Sequence, residues 1–314
     1  MSTKIAAAAL TAVLAAGLVT ATPAAAATPN LGTIVYIKNS NVWIARGNGT
    51  GAHTVTKTGT RTNPYRSPSE SNRGTIAVAR GPKIIRMTQH GRVLNTIDPP
   101  TLRNSAGEPM DGVVNEVAIS PDGAKIAWSY VRYSCPIGVE CMARYATGYT
   151  AATHYARVGR PNYFHGASWV TNTRALVGGG YGSQVMLHDI TKRPVHWFDD
   201  SDYAAPSTDL SDGEVSPNGK WAAEVRGYGS SESIIWYAVS GNVKTGAPPA
   251  VPAWKCYTNP TANQSHPTWS PDSNNLAFAI KSGIQIERNA ASCTSAVTLI
   301  AGGSQPDWSS APLG

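Results

Sequence analysis

The sequence predicts an all-β fold, a six-bladed β-propeller of four-stranded antiparallel blades closed by pairing of the C-terminal strand with the N-terminal strands. Three observations predict it. A short phrase built on Ser-Pro-Asp recurs along the chain. Gly (30) and Pro (22) are abundant, and Trp and Tyr (9 and 13) far outnumber Phe (3), which suits many turns joining aromatic strands. The chain opens on the second strand of the phrase and stops just after its first, so one blade can be shared between the two ends.

The clearest copy of the phrase is HPTWSPDSNNLAFAI at 266–280, with VAISPDGAKIAWSY at 117–130 and EVSPNGKWAAEV at 214–225. Degenerate copies are NPYRSPSESNRGTIAVA from Asn63, ASWVTNTRALVGG from Ala167 and QPDWSSAPLG from Gln305. The repeated Ser, or Val170 in its place, falls at 67, 120, 170, 216, 270 and 309, giving intervals of 53, 50, 46, 54 and 39 residues. Spacings of about 40 to 50 residues match propeller blades. Within the phrase Pro presets φ, the Asx side chain bonds its own backbone and Gly takes the awkward dihedral, so a tight turn joins two strands. In the second strand Leu276, Phe278 and Ile280 share one face and Ala277 and Ala279 the other; Ile126, Trp128 and Tyr130 repeat this. Two further strands follow in residues 41–58, 83–97 and 283–300. The opening LGTIVYI aligns Ile34 with Ile126 and Tyr36 with Trp128. Seven blades, with a repeat hidden in residues 130–162, and a β-sandwich are the competing architectures.

Residues 1–27 read as a signal peptide: Lys4 is the positive start, 5–19 an apolar run too short to span a membrane comfortably, and small residues offer cleavage near Ala26 or Ala27. An ordered N-terminal helix is the competing reading. Residues 28–314 form the expected propeller. The expected location is secreted, or periplasmic in a cell with an outer membrane; no Cys stands at the cleavage site to carry a lipid. The net charge is +7, but the basic residues are scattered, so no nucleic-acid arm is present. A solvated basic surface is the favoured reading over attraction to cell-envelope polymers. Export makes Cys135, Cys141, Cys256 and Cys293 disulfide candidates. Four cysteines allow three connectivities; Cys135 with Cys141 closes a short loop and leaves Cys256 with Cys293. Zinc is the competing reading, but C-x5-C without a nearby His is poor spacing.

WSPD, ISPDG and VSPNG, with the trailing apolar-Ala-aromatic run, resemble the WD40-like PD40 repeats of the TolB β-propeller, across essentially the whole of 28–314. Similar repeats build the propeller of prolyl oligopeptidases. TolB carries an additional N-terminal α/β domain, whereas here the first strand follows the cleavage site almost directly, which weighs against a role in envelope translocation. In TolB the channel mouth receives a peptide from a partner; the resemblance implies that the mouth here accepts a peptide, a glycan or a cation.

The residues four before the repeated Ser are Asn63, Glu116, Gly166, Asp212, His266 and Gln305. Five of the six are polar, and Asn63, Glu116, Asp212, His266 and Gln305 form the expected ligand ring at the mouth. The competing reading is that they satisfy strand-end backbone groups and hold channel water. Among enzyme signatures, G-x-S-x-G and H-E-x-x-H do not occur in the sequence, and His188-Asp189 with His196 is a poor metal set because adjacent strand residues face opposite ways. The expectation is therefore a non-enzymatic binding or scaffold module, monomeric, without cofactor or metal, whose partner is a protein or peptide. The alternative is a carbohydrate-active or carbohydrate-binding propeller using Glu116 or Asp212. Residues 135–162, rich in Tyr and Arg (Arg144, Tyr145, Tyr149, Tyr155, Arg157), read as an exposed flap of hot-spot composition or as a disulfide-pinned loop packed on its own blade.

Overall fold

A computed structural model describes residues 31–314 apart from 136, 139, 140, 203, 204 and 206; the expected signal peptide lies outside the described residues. The described chain forms six antiparallel sheets arranged as blades around an axis. From the axis outward, blade 1 is Ser304–Ser309, Thr33–Lys38, Asn41–Arg46 and His53–Thr54. Blade 2 is Arg66–Glu70, Thr75–Arg80, Lys83–Thr88 and Val93–Ile97. A hairpin, Leu102–Arg103 with Pro109–Met110, precedes blade 3, which is Glu116–Ile119, Lys125–Ser134 and Met142–Ala151. Residues 157–162 take the outer position of blade 3 through the bridges Thr150 to Arg157 and Thr147 to Asn162. Blade 4 is Ser168–Trp169, Arg174–Gly178, Gln184–Asp189 and Val195–Asp199; blade 5 is Leu210–Val215, Trp221–Arg226, Ser233–Ala238 and Ala253–Tyr257; blade 6 is Ser265–Trp269, Leu276–Ile280, Gly283–Glu287 and Val297–Ala301.

The ring closes as the ends of the sequence require. Ser304–Ser309 pairs with Thr33–Lys38, Ile34 opposite Trp308 and Thr33 opposite Ser309. Glu70 of blade 2 clamps the junction: its carboxylate accepts from Thr33 Oγ1, from Ser309 Oγ at 2.9 Å and from Gln89 Nε2 at 2.7 Å. Neither the seven-bladed nor the sandwich alternative holds. Residues 130–162 contain no hidden blade, because Lys125–Ser134 and Met142–Ala151 are the second and third strands of blade 3, drawn out into a long hairpin.

The core lies between blades, where bulky residues of one sheet meet small ones of the next. Leu276 and Phe278 pack with Ala223, Val225, Ile234 and Trp236 of blade 5, while Ala277 faces Ile34, Tyr36 and Trp308 of blade 1. Ile126, Trp128 and Tyr130 pack on Ala77, Ala79 and Ile84 of blade 2. Removing such area from water is the main stabilising term, about 25 cal/mol per Å² of apolar surface. The phrase's turn is a repeated hydrogen-bond device. Ser120 Oγ accepts from Lys125 N at 2.9 Å and donates to Asp122 Oδ1 at 2.6 Å. Ser216 with Trp221 and Asn218, and Ser270 with Asn275 and Asp272, do the same.

Blade 2 corrects one frame. Its turn is Ser71-Asn72-Arg73-Gly74: Gly74 N donates to Ser71 O at 3.0 Å and Thr75 N to Ser71 Oγ at 3.2 Å. The repeated Ser of this blade is therefore Ser71, not Ser67, and the first two intervals become 49 and 50 residues.

Candidate functional site

The inner strands surround an axial channel with two chambers. At the end where these strands begin lies a narrow chamber of about 80 Å³, lined by Ser67, Glu116, Gly166, Asp212 and His266 and, one step deeper, by Ser69, Ser168, Glu214 and Asp307. At the end where they finish lies a wide vestibule of about 530 Å³. Glu214 and Asp307 border both chambers; Trp169 and Trp308 wall the vestibule, and Asn72, Asn172 and Pro217 stand at its rim.

Five of the six inner strands begin with a conformational break, the strand from Glu116 in blade 3 being the exception. Ser67, Gly166, Asp212, His266 and Gln305 all have φ between 45° and 62°. In blades 1, 2, 5 and 6 the pairing with the second strand slips across this residue and its successor. Pro follows at 68, 267 and 306, where its missing N–H is no loss because the bulge removes that residue from the ladder. The free edge of each inner strand faces the neighbouring blade, where no strand pairs with it. Buried backbone N–H groups require partners, and the side chains of the preceding blade supply them. Gln305 Oε1 accepts from Ser67 N at 2.8 Å, Ser67 Oγ from Val117 N at 2.9 Å, Glu116 Oε2 from Gly166 N at 3.1 Å and Asp212 Oδ2 from His266 N at 2.8 Å. One step deeper, Ser69 Oγ accepts from Ile119 N at 3.1 Å, Glu214 Oε1 from Trp269 N at 3.0 Å, Thr268 Oγ1 from Trp308 N at 2.9 Å and Asp307 Oδ2 from Glu70 N at 2.7 Å. Ser168 Oγ instead donates to Gly213 O at 2.6 Å.

The structure therefore brings Glu116, Asp212 and His266 together at the narrow mouth and places Gln305 beside Ser67. Asn63 is not there: it is exposed, closes a small turn with Thr60, and lies outside the channel. Ser67 holds its place, as the corrected frame requires. Sequence reasoning also missed the deeper ring, above all Glu214 and Asp307, although both lie two residues beyond a ring member and a strand's period of two puts them on the same face. The backbone-satisfying reading of the polar ring holds for Glu116, Asp212 and Gln305; each of them stitches one blade to the next.

The electrostatics exceed what stitching needs. Burial, reinforced by the Asp307 carboxylate, pushes Glu214 up to about 8 against the bonds it receives. Burial likewise pushes Asp307 up to about 7, with Glu70 adding repulsion. Glu116 is raised by burial and then by Asp212. Behind the inner strand of blade 5, Glu224 is raised well above the ordinary carboxylate range by burial and by Asp212. Glu224 is 3% exposed and its Oε1 has no hydrogen-bond partner among the described residues. Its carboxylate fills the space that a side chain at Gly213 would occupy. His266 Nδ1 lies 3.2 Å from Asp212 Oδ2. No Lys or Arg lines the narrow chamber among the described residues.

Elsewhere, Cys135 with Cys141 and Cys256 with Cys293 stand at disulfide distance, the expected pairing, in place of zinc ligation. The Tyr- and Arg-rich segment divides. Tyr149 is fully buried, its hydroxyl 2.9 Å from His188 Nδ1, so it serves packing; His188 is likewise buried, with its Nε2 3.0 Å from Lys192 O. The paired strands of the long hairpin continue past Glu116 at the narrow-mouth end, as far as Ser134 opposite Met142. That end also carries Tyr133, Tyr163, Tyr181 and Tyr228, 52–76% exposed.

No protein-family model matches the chain, and no curated protein matches it in sequence. Solved structures do match in fold. A structure assigned as TolB from Agrobacterium tumefaciens superposes with a TM-score of 0.52 at 15% identity, covering 90% of this chain and 92% of that one. The β-propeller domain of Cps50 (Swd1) from Myceliophteria thermophila gives 0.51 at 11% identity, with 85% and 81% covered. A chain of the mitotic checkpoint complex gives 0.51 at 12%, with 82% and 87% covered. The fold is a six-bladed TolB-like, WD40-like propeller.

Proposed function

We propose that the chain is an exported, non-enzymatic binding module that engages a peptide or protein partner in its central channel. The observation that carries this reading is the channel itself: a vestibule of about 530 Å³, within the usual range of ligand sites, leading to a chamber lined by Glu116, Asp212, Glu214 and Asp307 with no Lys or Arg among its described lining residues. The exposed tyrosines around the opposite mouth suit a second contact surface, since Tyr gives large contact area at low entropic cost. Two disulfides suit an oxidising compartment, and residues 1–27 read as an export signal. Propellers of this architecture are, in general, interaction scaffolds. Against the carbohydrate alternative, Glu116 and Asp212 line a chamber of only about 80 Å³, below the about 300 Å³ of the smaller ligand pockets, and each is occupied in bonding the next blade.

Affinity capture from the envelope fraction of the producing cell tests this. Asn72 is exposed at the vestibule rim and contributes only its backbone N–H to Pro121 O, so Asn72→Trp obstructs the opening without disturbing the ring. A partner recovered by the wild type and by the control Asn63→Trp, but lost with Asn72→Trp, is the expected result. Equal recovery by all three counts against a channel site.

A further inference from the structure

We propose that the channel's occupant is cationic: a lysine or arginine side chain of a peptide seated among Glu116, Asp212, Glu214 and Asp307, with its flanking chain lying in the vestibule. This deepens the peptide-binding reading and rests on it. Three observations carry it.

The first is charge segregation. The chain as a whole is basic, +7, with 19 acidic residues. Six of those, Glu70, Glu116, Asp212, Glu214, Glu224 and Asp307, line the channel or stand directly behind its wall. Lys244 is the only Lys or Arg among the residues lining either chamber, at the vestibule, and its Nζ is bonded to Pro217 O.

The second is an internal comparison. Stitching requires one acceptor per inner strand, and at the deeper ring Ser69 and Thr268 provide it with neutral hydroxyls. Glu214 and Asp307 do the same task at equivalent positions with carboxyl groups whose ionised form burial disfavours. Burying a charge is costly where burying a bonded hydroxyl is not. Glu214 also accepts from the Thr268 hydroxyl and Asp307 from the Ser69 hydroxyl, yet burial holds both carboxyls back from ionising, and a cation in the chamber would favour the ionised form.

The third is Glu224. Its buried, unpartnered Oε1 stands against Gly213 in the wall of the narrow chamber. Gly at 213 is what lets the carboxylate approach that wall. Buried polar atoms nearly always have partners, and an ammonium or guanidinium in the chamber neutralises the field to which Glu224 and Asp212 contribute. The sizes agree. The chamber of about 80 Å³ accepts a side-chain head, and the vestibule of about 530 Å³ accepts a few extended residues. Trp169 and Trp308 offer ring surface to a lysine or arginine stem.

The probe is a blocked, fluorescein-labelled hexalysine peptide, followed by anisotropy at pH 8.5 in low salt with chelator present, beside hexaglutamate and hexaserine. The net positive charge of the protein opposes nonspecific binding of hexalysine. Hexalysine is expected to bind and the other two not. Glu214→Gln and Asp307→Asn keep an oxygen for Trp269 N and Glu70 N, so the ring stays closed, and each should weaken hexalysine about tenfold or more. Glu108→Gln, on the exposed hairpin, should not. Hexalysine binding unchanged in both channel variants places the site elsewhere and overturns the proposal. Equal binding of hexaserine, weakened by the same variants, preserves a channel peptide site but removes the cationic preference. Binding that needs a divalent metal overturns the proposal in favour of a metal site, and no binding of any peptide overturns it and removes the observation's support for the peptide reading.

Discussion

Replacing Glu214 by Gln should stabilise the protein, and by an amount that grows with pH. Its carboxylate titrates near 8 in the folded chain instead of near 4.5. For a group raised by folding, the unfolded chain ionises first as pH rises. Its stability contribution is complete below about 4.5, declines above that, and is fully lost once pH passes 8. Full conversion of that displacement gives about 5 kcal/mol at 1.36 kcal/mol per decade. Glu214 is only half-buried in the channel wall, and water reaching it relaxes the penalty, so about 2 kcal/mol is the working figure. Gln keeps the acceptor for Trp269 N and has nothing to ionise. The melting temperature of the variant should match wild type at pH 4.5 and exceed it by about 4 °C at pH 9, read by circular dichroism or calorimetry in parallel buffers. Asp307, Glu70, Glu116 and Glu224, all likewise raised by burial, surround this site beside Asp212 and His266, and the wild-type-minus-variant difference cancels what they share. A gap independent of pH, or a variant less stable than wild type at pH 9, would refute the reasoning that the charge is carried at a cost.

Three further outcomes follow from named contacts. Glu70→Ala leaves the donors Thr33, Ser309 and Gln89 without their acceptor at ring closure and should cost about 3 kcal/mol, seen as a lower urea midpoint. Gly213→Ala drives a Cβ into the Glu224 carboxylate and should destabilise by about 2 kcal/mol, and pairing it with Glu224→Ala should recover most of the loss. Mild reduction should lower the melting temperature mainly through Cys256–Cys293, which spans 37 residues against 6 for Cys135–Cys141; loop entropy assigns them about 4 and about 2 kcal/mol, so Cys135→Ser with Cys141→Ser should be the milder double variant in thermal melts.

The fold was legible because blades 2, 3, 5 and 6 repeat a turn whose chemistry is local: a Ser hydroxyl accepting from the backbone N–H four or five residues on, at Ser71, Ser120, Ser216 and Ser270. The site was legible only in part, because the dipeptide Ser-Pro has two meanings in this chain. At 120, 216 and 270 Ser-Pro opens the turn; at 67 it is the bulge that begins the inner strand, the place taken by His266-Pro267 and Gln305-Pro306. RSPSESNRG contains the bulge and the turn in succession, and only the position of Gly74 tells them apart. That ambiguity put Asn63 where Ser67 stands. Glu214 and Asp307 carried a readable signal in their period-two offset from the first ring. Glu224 carried none, since its approach to the channel depends on the missing side chain of Gly213 on the neighbouring strand.

Buried carboxylates in this molecule fall into two physical kinds, and the difference decides what each is for. Glu70 is buried and its pKa is raised, yet both its oxygens are occupied by donors from three different segments, one of them the C-terminal strand. Its interactions are all made within the closed ring, and closing the ring is a sufficient account of it. Glu224 is buried to the same degree, has an oxygen with no partner, and touches a strand that yields a glycine to it. Nothing in the closed ring accounts for that arrangement, because an alanine at 213 facing an apolar residue at 224 would pack at less cost. Glu214 and Asp307 lie between these kinds: each accepts from a backbone N–H and a hydroxyl of the ring, from Trp269 and Thr268 and from Glu70 and Ser69 respectively, and each still borders the channel. The acids thus run from fully satisfied at the seam of closure, through bonded ones that line the channel, to one with an unpartnered oxygen behind its wall, an order that ring closure alone does not call for.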